Sequence, residues 1–198
     1  MAPRIRPFGD HALLVEVEET AEALDLALWA REQGLADDVV PATRTVLLDG
    51  VPDLAATCDQ LATWRPGAAP APGPLVEVPL RYDGPDLAAV ARGWGMAPDE
   101  AVARHTGADH VVAFCGFAPG FPYLTSDLAL PDVPRLDSPR ARVEPGSVGL
   151  AGPFTGIYPG ASPGGWQLIG HTDEVLWDST RAKPALLPPG TRVRFVAR

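Results

Sequence analysis

Two stretches decide how this chain folds: FCGFAPGFPYL at residues 114–124 and GIYPGASPGGWQLIGHT at residues 156–172. Glycine and proline recur too often in both for a helix, because proline fixes φ and lacks a backbone N–H, whereas glycine readily adopts positive φ. Aromatic residues stand between these turn-forming residues. Such segments form rigid turns that hold aromatic side chains in place, and loops held in this way usually carry a binding site.

The sequence around these stretches predicts a mostly β domain that begins with two short helices. The helices start near Leu87 and at Pro98, and Gly107 ends the second. Turn signals separate short apolar segments at the spacing typical of a small barrel. The predicted strands lie at residues 76–80, 111–114, 147–151, 166–170, 174–177 and 192–196.

The first third of the chain has a different pattern, of alternating strands and helices. Leu13, Val15 and Val17 alternate with less buried positions and predict a half-buried strand. A helix from Thr20 to Gly34 follows, then strands at 39–41 and 45–48 and a helix that begins at Asp53. This order favours a small ferredoxin-like α/β sandwich.

A proline-rich segment without charged residues separates the two patterns and is typical of a semi-rigid linker. The sequence therefore predicts an α+β protein with an N-terminal domain at residues 1–65, a linker at 66–74 and a β-barrel domain at 75–198.

The composition excludes several classes of function. The 198 residues carry a net charge of −9, which argues against nucleic acid and anionic membranes as partners. No apolar run approaches the ~20 residues of a membrane span, and no apolar segment follows the N-terminus as in a signal peptide. Cys58 and Cys115 lack metal-ligand spacing, so we expect reduced thiols, no metal and a cytoplasmic location.

The sequence also lacks the common catalytic signatures. There is no G-x-x-x-x-G-K-[ST], and the only lysine, Lys183, precedes a proline, so a P-loop is excluded. No G-x-G-x-x-G follows a predicted strand, and H-E-x-x-H does not occur. GASPG at residues 160–164 has the letters G-x-S-x-G, but no helix is predicted after it, so it does not form a nucleophile elbow. Any catalytic role must therefore depend on residues that are distant in sequence.

Tyr123 and an arginine cluster are the first candidates for such a role. The Tyr123 hydroxyl can face a ligand, or its ring can pack on the end of the barrel, and the sequence leaves both open. Arg135, Arg140 and Arg142 lie within nine residues of each other. A guanidinium suits carboxylate or phosphate, so in an acidic protein the cluster favours an anion site over a solvated surface.

Two histidines and a serine complete the candidates. His171 ends a predicted strand beside Asp173, where it can act as a general base or substrate ligand, or as a structural cap. Ser147 follows Gly146 in a turn. Its hydroxyl has a structural role in that turn unless backbone N–H groups converge there. His105 ends a predicted helix, where the helix dipole would stabilise its positive charge. A structural cation is therefore as good an interpretation of His105 as a functional role.

Several long motifs resemble those of one family. They are VPLRYDGPDL (78–87), GFAPGFPYL (116–124), PR (139–140), GSV (146–148), GIYP (156–159), SPGGW (162–166) and IGHT (169–172). In this order they resemble the KipI family, also called allophanate hydrolase subunit 1, which includes the 5-oxoprolinase subunit PxpB. One departure is Glu144, which adds a carboxylate near the arginine cluster where relatives often have alanine.

The resemblance implies a cyclophilin-like β-barrel for the C-terminal domain. It also implies a larger homologous partner of KipA or PxpC type and a further PxpA-type subunit, which together open 5-oxoproline to glutamate with ATP. Whether ATP contacts this chain is left open, and the isolated chain is expected to be inactive. Two alternatives are inhibition of a sporulation histidine kinase and a role in urea or allophanate metabolism.

The resemblance and the motifs together give a set of predicted site residues. We predict His171 as the catalytic group. The predicted substrate-binding residues are Tyr123, Arg140, Ser147 and Gln167, and the predicted loop-shaping residues are Gly116, Pro119, Gly120, Gly164 and Gly165.

Overall fold

The computed structural model describes residues 3–67 and 73–198. The chain divides into two compact units, Met1–Pro72 and Gly73–Arg198, and each has its own apolar core. The predicted linker at 66–74 falls mainly on residues 68–72, which lie outside the described residues, so its character stays a prediction.

Within residues 3–67, the first unit contains a four-stranded antiparallel sheet and two helices. The sheet order is β1-β2-β4-β3, which is that of a ferredoxin-like sandwich with β1 in the place of that fold's last strand. The elements are β1 (Arg4–Pro7), β2 (Ala12–Glu16), α1 (Thr20–Glu32), β3 (Asp38–Pro41), β4 (Thr45–Asp49) and α2 (Leu54–Thr63).

Local sequence explains most of these boundaries. The Asp53 side chain accepts a hydrogen bond of 3.0 Å from the backbone N–H of Ala56 and so caps α2. Gly34, with φ of 64°, follows the end of α1. Strand β1 is absent from the sequence prediction, because this short, mostly exposed edge strand has no apolar alternation.

The second unit is mostly β. Across residues 73–198, seven of its strands form one sheet in the order β12-β9-β10-β7-β6-β13-β5, and β8 pairs with β11 separately. Only β13 and β5 run parallel. The elements are β5 (Leu75–Leu80), α3 (Leu87–Gly93), α4 (Pro98–Thr106), β6 (His110–Cys115), β7 (Pro122–Ser126), β8 (Arg140–Val143), β9 (Ser147–Ala151), β10 (Phe154–Ile157), β11 (Ser162–Gly164), β12 (Gln167–His171) and β13 (Arg192–Ala197).

The two edges of this sheet meet and close it into a barrel. Immediately after β5, Arg81 exchanges two backbone hydrogen bonds with His171 at the end of β12, with N···O distances of 2.9 and 2.8 Å. Further along, the N–H of Gly84 donates to the carbonyl of Ile169 at 3.2 Å. We call this junction between residues 81–86 and β12 the seam.

The structure confirms the predicted α+β class, with a small sandwich followed by a mostly β domain, while the likeness to cyclophilin stays a prediction. One predicted strand is wrong. Residues 174–177 do not form a regular strand, and only Trp177 makes an isolated bridge, to Ala185. Strands β7, β10 and β11 are absent from the sequence prediction because their glycine and proline residues indicate turns. Strand β8, with the sequence RARV, is absent because it lies in the arginine cluster.

Helices α3 and α4 pack on the barrel, α3 against β12 and α4 against β13. Helix α4 buries His105, whose Nδ1 lies 2.7 Å from the Tyr82 hydroxyl and whose Nε2 lies 3.1 Å from Thr155 Oγ1. Burial lowers the pKa of His105 well below its ordinary value. The interpretation of His105 as a dipole-stabilised cation is therefore wrong.

Closure of the seam requires glycine at position 170. A Cβ at Gly170 would collide with the carbonyl oxygen of Arg81. We expect Gly170→Ala to destabilise the chain by about 1–3 kcal/mol, as overpacking does, measured by urea unfolding followed by tryptophan fluorescence. Gly160→Ala is the matched control, because a Cβ there meets nothing within 4 Å. Equal stability of the two variants would contradict the close approach at the seam.

Acid should weaken the fold through His110, which is fully buried. Burial lowers its pKa from 6.5 to about 4, although the Ala108 backbone and the charges of Asp127 and Asp109 oppose the shift. The unfolded chain binds this proton more readily than the folded chain does. Neutral His110 therefore contributes about 3 kcal/mol to the free energy of unfolding above pH 6.5, and this contribution is lost as the pH falls towards 4.

We expect His110→Asn to flatten the dependence of unfolding free energy on pH in that window. His11→Asn, at an exposed histidine, should leave the slope unchanged. Urea unfolding at a series of pH values measures both slopes, and an unaltered slope in His110→Asn would exclude His110 as the titrating group.

Candidate functional site

An aromatic pocket forms where the two glycine- and proline-rich stretches meet. Phe121 and Tyr123 each lie 5.4 Å from Trp166 between ring centroids, and Phe121 lies 5.1 Å from Tyr158. The pocket has a volume of about 80 Å³. Its walls include Phe117, Phe121, Tyr123, Tyr158, Trp166 and the side chain of Arg135. We call it the aromatic pocket.

Turns with fixed geometry shape the first wall of the aromatic pocket. The N–H of Phe121 donates to the carbonyl of Ala118 at 3.0 Å, which closes a turn with Pro119 and Gly120 at its centre. Gly120 has φ of 79° and lies against Trp177, so the turn has the residue pattern of type II. Phe117 also has a positive φ, of 67°, which is a strained conformation for a non-glycine residue.

Glycines on the opposite wall allow rings to approach the backbone. A Cβ at Gly164 would collide with the Tyr158 hydroxyl, whereas Gly165 has 3.8 Å of clearance from Pro139. Gly116 is also uncrowded, 3.8 Å from the Tyr123 ring. Gly164 therefore has a steric reason to be glycine, and neither Gly116 nor Gly165 has one of comparable strength.

Tyr123 lies in the aromatic pocket with its ring stacked on Phe114 at a centroid distance of 4.3 Å. The ring packs against its neighbours while the side chain stays half-buried, and contact of the hydroxyl with a ligand stays a prediction. Burial raises the pKa of the Tyr123 phenol, and the charge of Arg135 partly opposes that shift. The hydroxyl is thus a neutral hydrogen-bonding group at the pocket.

His171 and Ser147 come together at the seam. They are opposite each other in the pairing of β12 with β9. The His171 Nε2 lies 3.6 Å from Asp173 Oδ1, and Asp173 accepts hydrogen bonds from Arg81 at 3.0 and 3.3 Å. The His171 side chain is 32% exposed. We call Arg81, His171, Asp173 and Ser147 the seam cluster.

The seam cluster has the electrostatics of an oriented imidazole. The hydrogen bond and the charge of Arg81 are the main causes that lower the pKa of Asp173, so the carboxylate stays ionised. Gly146, with φ of 79°, brings the backbone against the His171 ring. A partly exposed imidazole beside a carboxylate can exchange a proton with a bound molecule.

Arg140 is engaged inside the protein. Its guanidinium donates to both carboxylate oxygens of Asp86, at 2.9 and 2.8 Å, and to the carbonyl of Trp166 at 3.3 Å. Asp86 also accepts from the N–H of Leu168 at 2.6 Å. Arg140 thus positions the start of β12, and its predicted role as a substrate ligand stays a prediction.

The rest of the arginine cluster divides clearly. Arg142 forms an exposed pair with Glu144, with N···O distances of 2.7 and 3.2 Å. Arg135 has no ion pair or hydrogen bond to any residue in 3–67 or 73–198 and lines the aromatic pocket, where its charge acts on the phenols of Tyr123 and Tyr158. Gln167, predicted to bind substrate, donates to the carbonyl of Pro134 at 2.8 Å.

The structure therefore places three of the predicted site residues in two neighbouring groups. Tyr123 belongs to the aromatic pocket, whereas Ser147 and His171 belong to the seam cluster. The turn at Gly146 connects them, since its N–H donates to the carbonyl of Tyr158 at 2.7 Å and its carbonyl accepts from Thr172 at 2.9 Å.

Arg81 and Asp86 were missed as site residues, although both lie in the VPLRYDGPDL segment. Their partners are 92 and 54 residues away, so only closure of the barrel shows the pairings.

Metal ligands and membrane-spanning helices are both missing from the described part of the chain. Among residues 3–67 and 73–198, no group of three or more histidine, cysteine, aspartate or glutamate side chains is placed to hold a metal ion. The same residues include no helix with the length and apolar character needed to traverse a lipid bilayer.

Solved structures with this fold include whole proteins and parts of longer chains. TTHA0988 is 34% identical with a TM-score of 0.77, and the match covers 98% of this chain but only 40% of that one. PH0987 from Pyrococcus horikoshii is 30% identical with a TM-score of 0.60, over 98% and 97% of the two chains. The Kluyveromyces lactis urea carboxylase, at 18% identity and a TM-score of 0.70, covers 99% of this chain and 22% of that one. At this identity it shows the fold alone, which is of the carboxyltransferase type.

Sequence comparison gives the family. Residues 3–187 match the family model described as carboxyltransferase domain, subdomain C and D. The 5-oxoprolinase B subunit of Escherichia coli O157:H7 is 40% identical over 202 residues, covering 95% of this chain and 93% of that protein. The corresponding protein of Bacillus subtilis is 45% identical over 125 residues, 62% of this chain and 52% of that protein. The chain belongs to the carboxyltransferase subdomain C and D family, in the branch that contains these 5-oxoprolinase B subunits.

The pairing of Arg140 with Asp86 can be measured by a double-mutant cycle. The two side chains are only 27% and 13% exposed, so we expect Arg140→Ala and Asp86→Ala to show a coupling energy of about 1–3 kcal/mol in urea unfolding. The matched pair Arg142→Ala and Glu144→Ala is exposed and should couple more weakly. Equal coupling in both cycles would contradict a structural role for Arg140.

Proposed function

We propose that this chain is a subunit of an ATP-dependent 5-oxoprolinase, which opens 5-oxoproline to L-glutamate, and that it contributes part of a shared active site. The near full-length match to the Escherichia coli 5-oxoprolinase B subunit carries the proposal, at 40% identity over 93% of that protein. A match of this extent includes both units and the motifs that build the aromatic pocket and the seam cluster.

The chemistry explains why the site is shared. A lactam is an unreactive amide, so ATP would first phosphorylate its oxygen, and water would then attack the activated carbon. The sequence of this chain has no P-loop and no other recognised phosphate-binding motif. We therefore expect a larger homologous subunit of KipA or PxpC type, together with a PxpA-type subunit, to contribute the remaining groups, including those that bind the nucleotide.

In this proposal His171 is the proton-transfer group. Asp173 lies 3.6 Å from its Nε2 and stabilises the imidazolium that forms when His171 accepts a proton. Arg81 holds the Asp173 carboxylate by two hydrogen bonds and so acts as a positioning residue. Ser147, opposite His171 on the next strand, is proposed as a substrate contact from its place in that pair.

The aromatic pocket would hold the substrate ring. Tyr123 presents a neutral hydroxyl there and is proposed to orient the amide. Gln167 and Arg140 border the same region through Pro134 and Trp166. Both side chains already have protein partners, so we propose that they hold the segments that shape the pocket. The predicted contacts of Gln167 and Arg140 with substrate would be additional to this role.

Exposed apolar residues support a protein partner. Phe117 is 63% exposed, Val175 55% and Trp177 41%. Trp177 lies beside Gly120, in the turn that shapes the first wall of the aromatic pocket. Such a surface suits a subunit interface, but it also suits the alternative function as a kinase inhibitor. A pull-down that retains a histidine kinase and not the larger subunit would favour the alternative. The urea-related alternative rests on likeness of fold only.

The role of His171 can be tested in the reconstituted assembly. We expect His171→Asn to lower kcat for glutamate formation by about 10²–10⁴-fold, the usual contribution of a general acid or base. Asp173→Asn should lower kcat less, since it removes the carboxylate 3.6 Å from the imidazole and leaves the proton-transfer group in place. His11→Asn, in the first unit, is the matched control and should leave kcat unchanged.

The readouts are glutamate release and ATP consumption with 5-oxoproline as substrate. If the wild-type assembly consumes no ATP with 5-oxoproline, the proposed function fails. Turnover of His171→Asn within about twofold of wild type would remove His171 from the site while leaving the subunit assignment intact.

A further inference from the structure

Arg135 differs from its two neighbours in the arginine cluster. Arg140 is bound to Asp86 and Arg142 to Glu144, whereas Arg135 has no acceptor among the described residues and lines the aromatic pocket. Its positive charge acts on the phenols of both Tyr123 and Tyr158, whose pKa values it lowers against the larger effect of burial. The guanidinium therefore lies at the pocket with its hydrogen-bond donors unused.

The walls of the aromatic pocket are densely packed. Phe121, Tyr158 and Trp166 are buried, at 1%, 1% and 5% exposure, and Phe121 contacts each of the other two edge to face. Dense packing of this kind leaves little freedom for the pocket to change shape. The volume of about 80 Å³ suits one small ring and is too small for a nucleotide.

The charge of the lining selects among small rings. No aspartate or glutamate is among the lining residues that the structure describes, so Arg135 is the charged group at the pocket. A guanidinium presents a planar fork that matches a carboxylate, and the aromatic walls favour a small ring with apolar faces. Phe117, strained at a φ of 67° and largely exposed, stands at the edge, where a ring that enters can contact it.

We infer that the aromatic pocket is a binding subsite for a small ring that bears a carboxylate, with Arg135 as the ligand of the carboxylate. The inference rests on the proposed function in one respect: in a 5-oxoprolinase the ring is that of 5-oxoproline. It assigns the anion to Arg135, whereas the sequence selected Arg140, and it leaves Arg140 as a positioning residue.

Three probes separate the two parts of the subsite in binding to the full chain. 5-Oxoproline has both ring and carboxylate, 2-pyrrolidinone has the ring alone, and acetate has the carboxylate alone. We expect 5-oxoproline to bind more tightly than either, with NMR shifts at the indole N–H of Trp166 at millimolar concentrations. If none of the probes shifts that signal, or if all three bind equally, the inference is overturned.

Variants then test the role of Arg135. Arg135→Gln should weaken 5-oxoproline binding by about 10–100-fold, since it removes a charged hydrogen bond, and should leave 2-pyrrolidinone binding unchanged. Arg135→Lys should restore part of the affinity, because it keeps the charge without the fork. Arg142→Gln, at a paired arginine of the same segment, is the matched control. Equal binding by Arg135→Gln and Arg142→Gln would overturn the inference.

Kinetics in the assembly separate this inference from the proposed function. In an active assembly, we expect Arg135→Gln to raise KM for 5-oxoproline with little change in kcat, because Arg135 holds a group that does not react. An unchanged KM would refute the subsite and leave the function standing. An assembly inactive on 5-oxoproline, combined with selective binding of the ring carboxylate by the chain, would refute the function and leave the subsite standing.

Discussion

The pair of backbone hydrogen bonds between Arg81 and His171 determines the arrangement of the second unit. Without them and the neighbouring seam bonds from Gly84 to Ile169 and from Asp86 to Leu168, the seven strands would form an open sheet, with unpaired N–H and carbonyl groups along β5 and β12. With them the edges are joined and the core between the strands is enclosed. The same junction sets Arg81, Asp173 and His171 side by side, so the geometry of the seam cluster depends on closure of the fold.

Much of the architecture follows from local sequence. Alternation at Leu13 and Val15, the cap at Asp53 and the glycine at position 34 predict the elements of the first unit, because each depends on a few adjacent residues. The failures have a physical pattern. Strand β1 is held by its neighbour β2 and not by its own composition, and β7, β10 and β11 form despite glycine and proline because non-local pairing outweighs local preference.

The candidate site is less predictable than the fold for the same reason. Tyr123, Ser147 and His171 can be selected from motifs, but their environment cannot. The sequence groups Arg135, Arg140 and Arg142 as one basic cluster, whereas the structure gives each a different partner: the aromatic pocket, Asp86 and Glu144. Residues close in sequence thus take separate tasks, since each task is set by a residue from a distant segment.

The parallel pairing of β13 with β5 has a consequence for synthesis of the chain. Leu75 pairs with Arg192, so β5 cannot complete its pairing until β13 has been synthesised. At typical translation rates this interval is on the order of ten seconds. The first unit, whose strands all lie between Arg4 and Asp49, has no such delay. During that interval the apolar edges of the unfinished barrel are open to misassociation, and the nascent second unit is the part of the chain most in need of a chaperone.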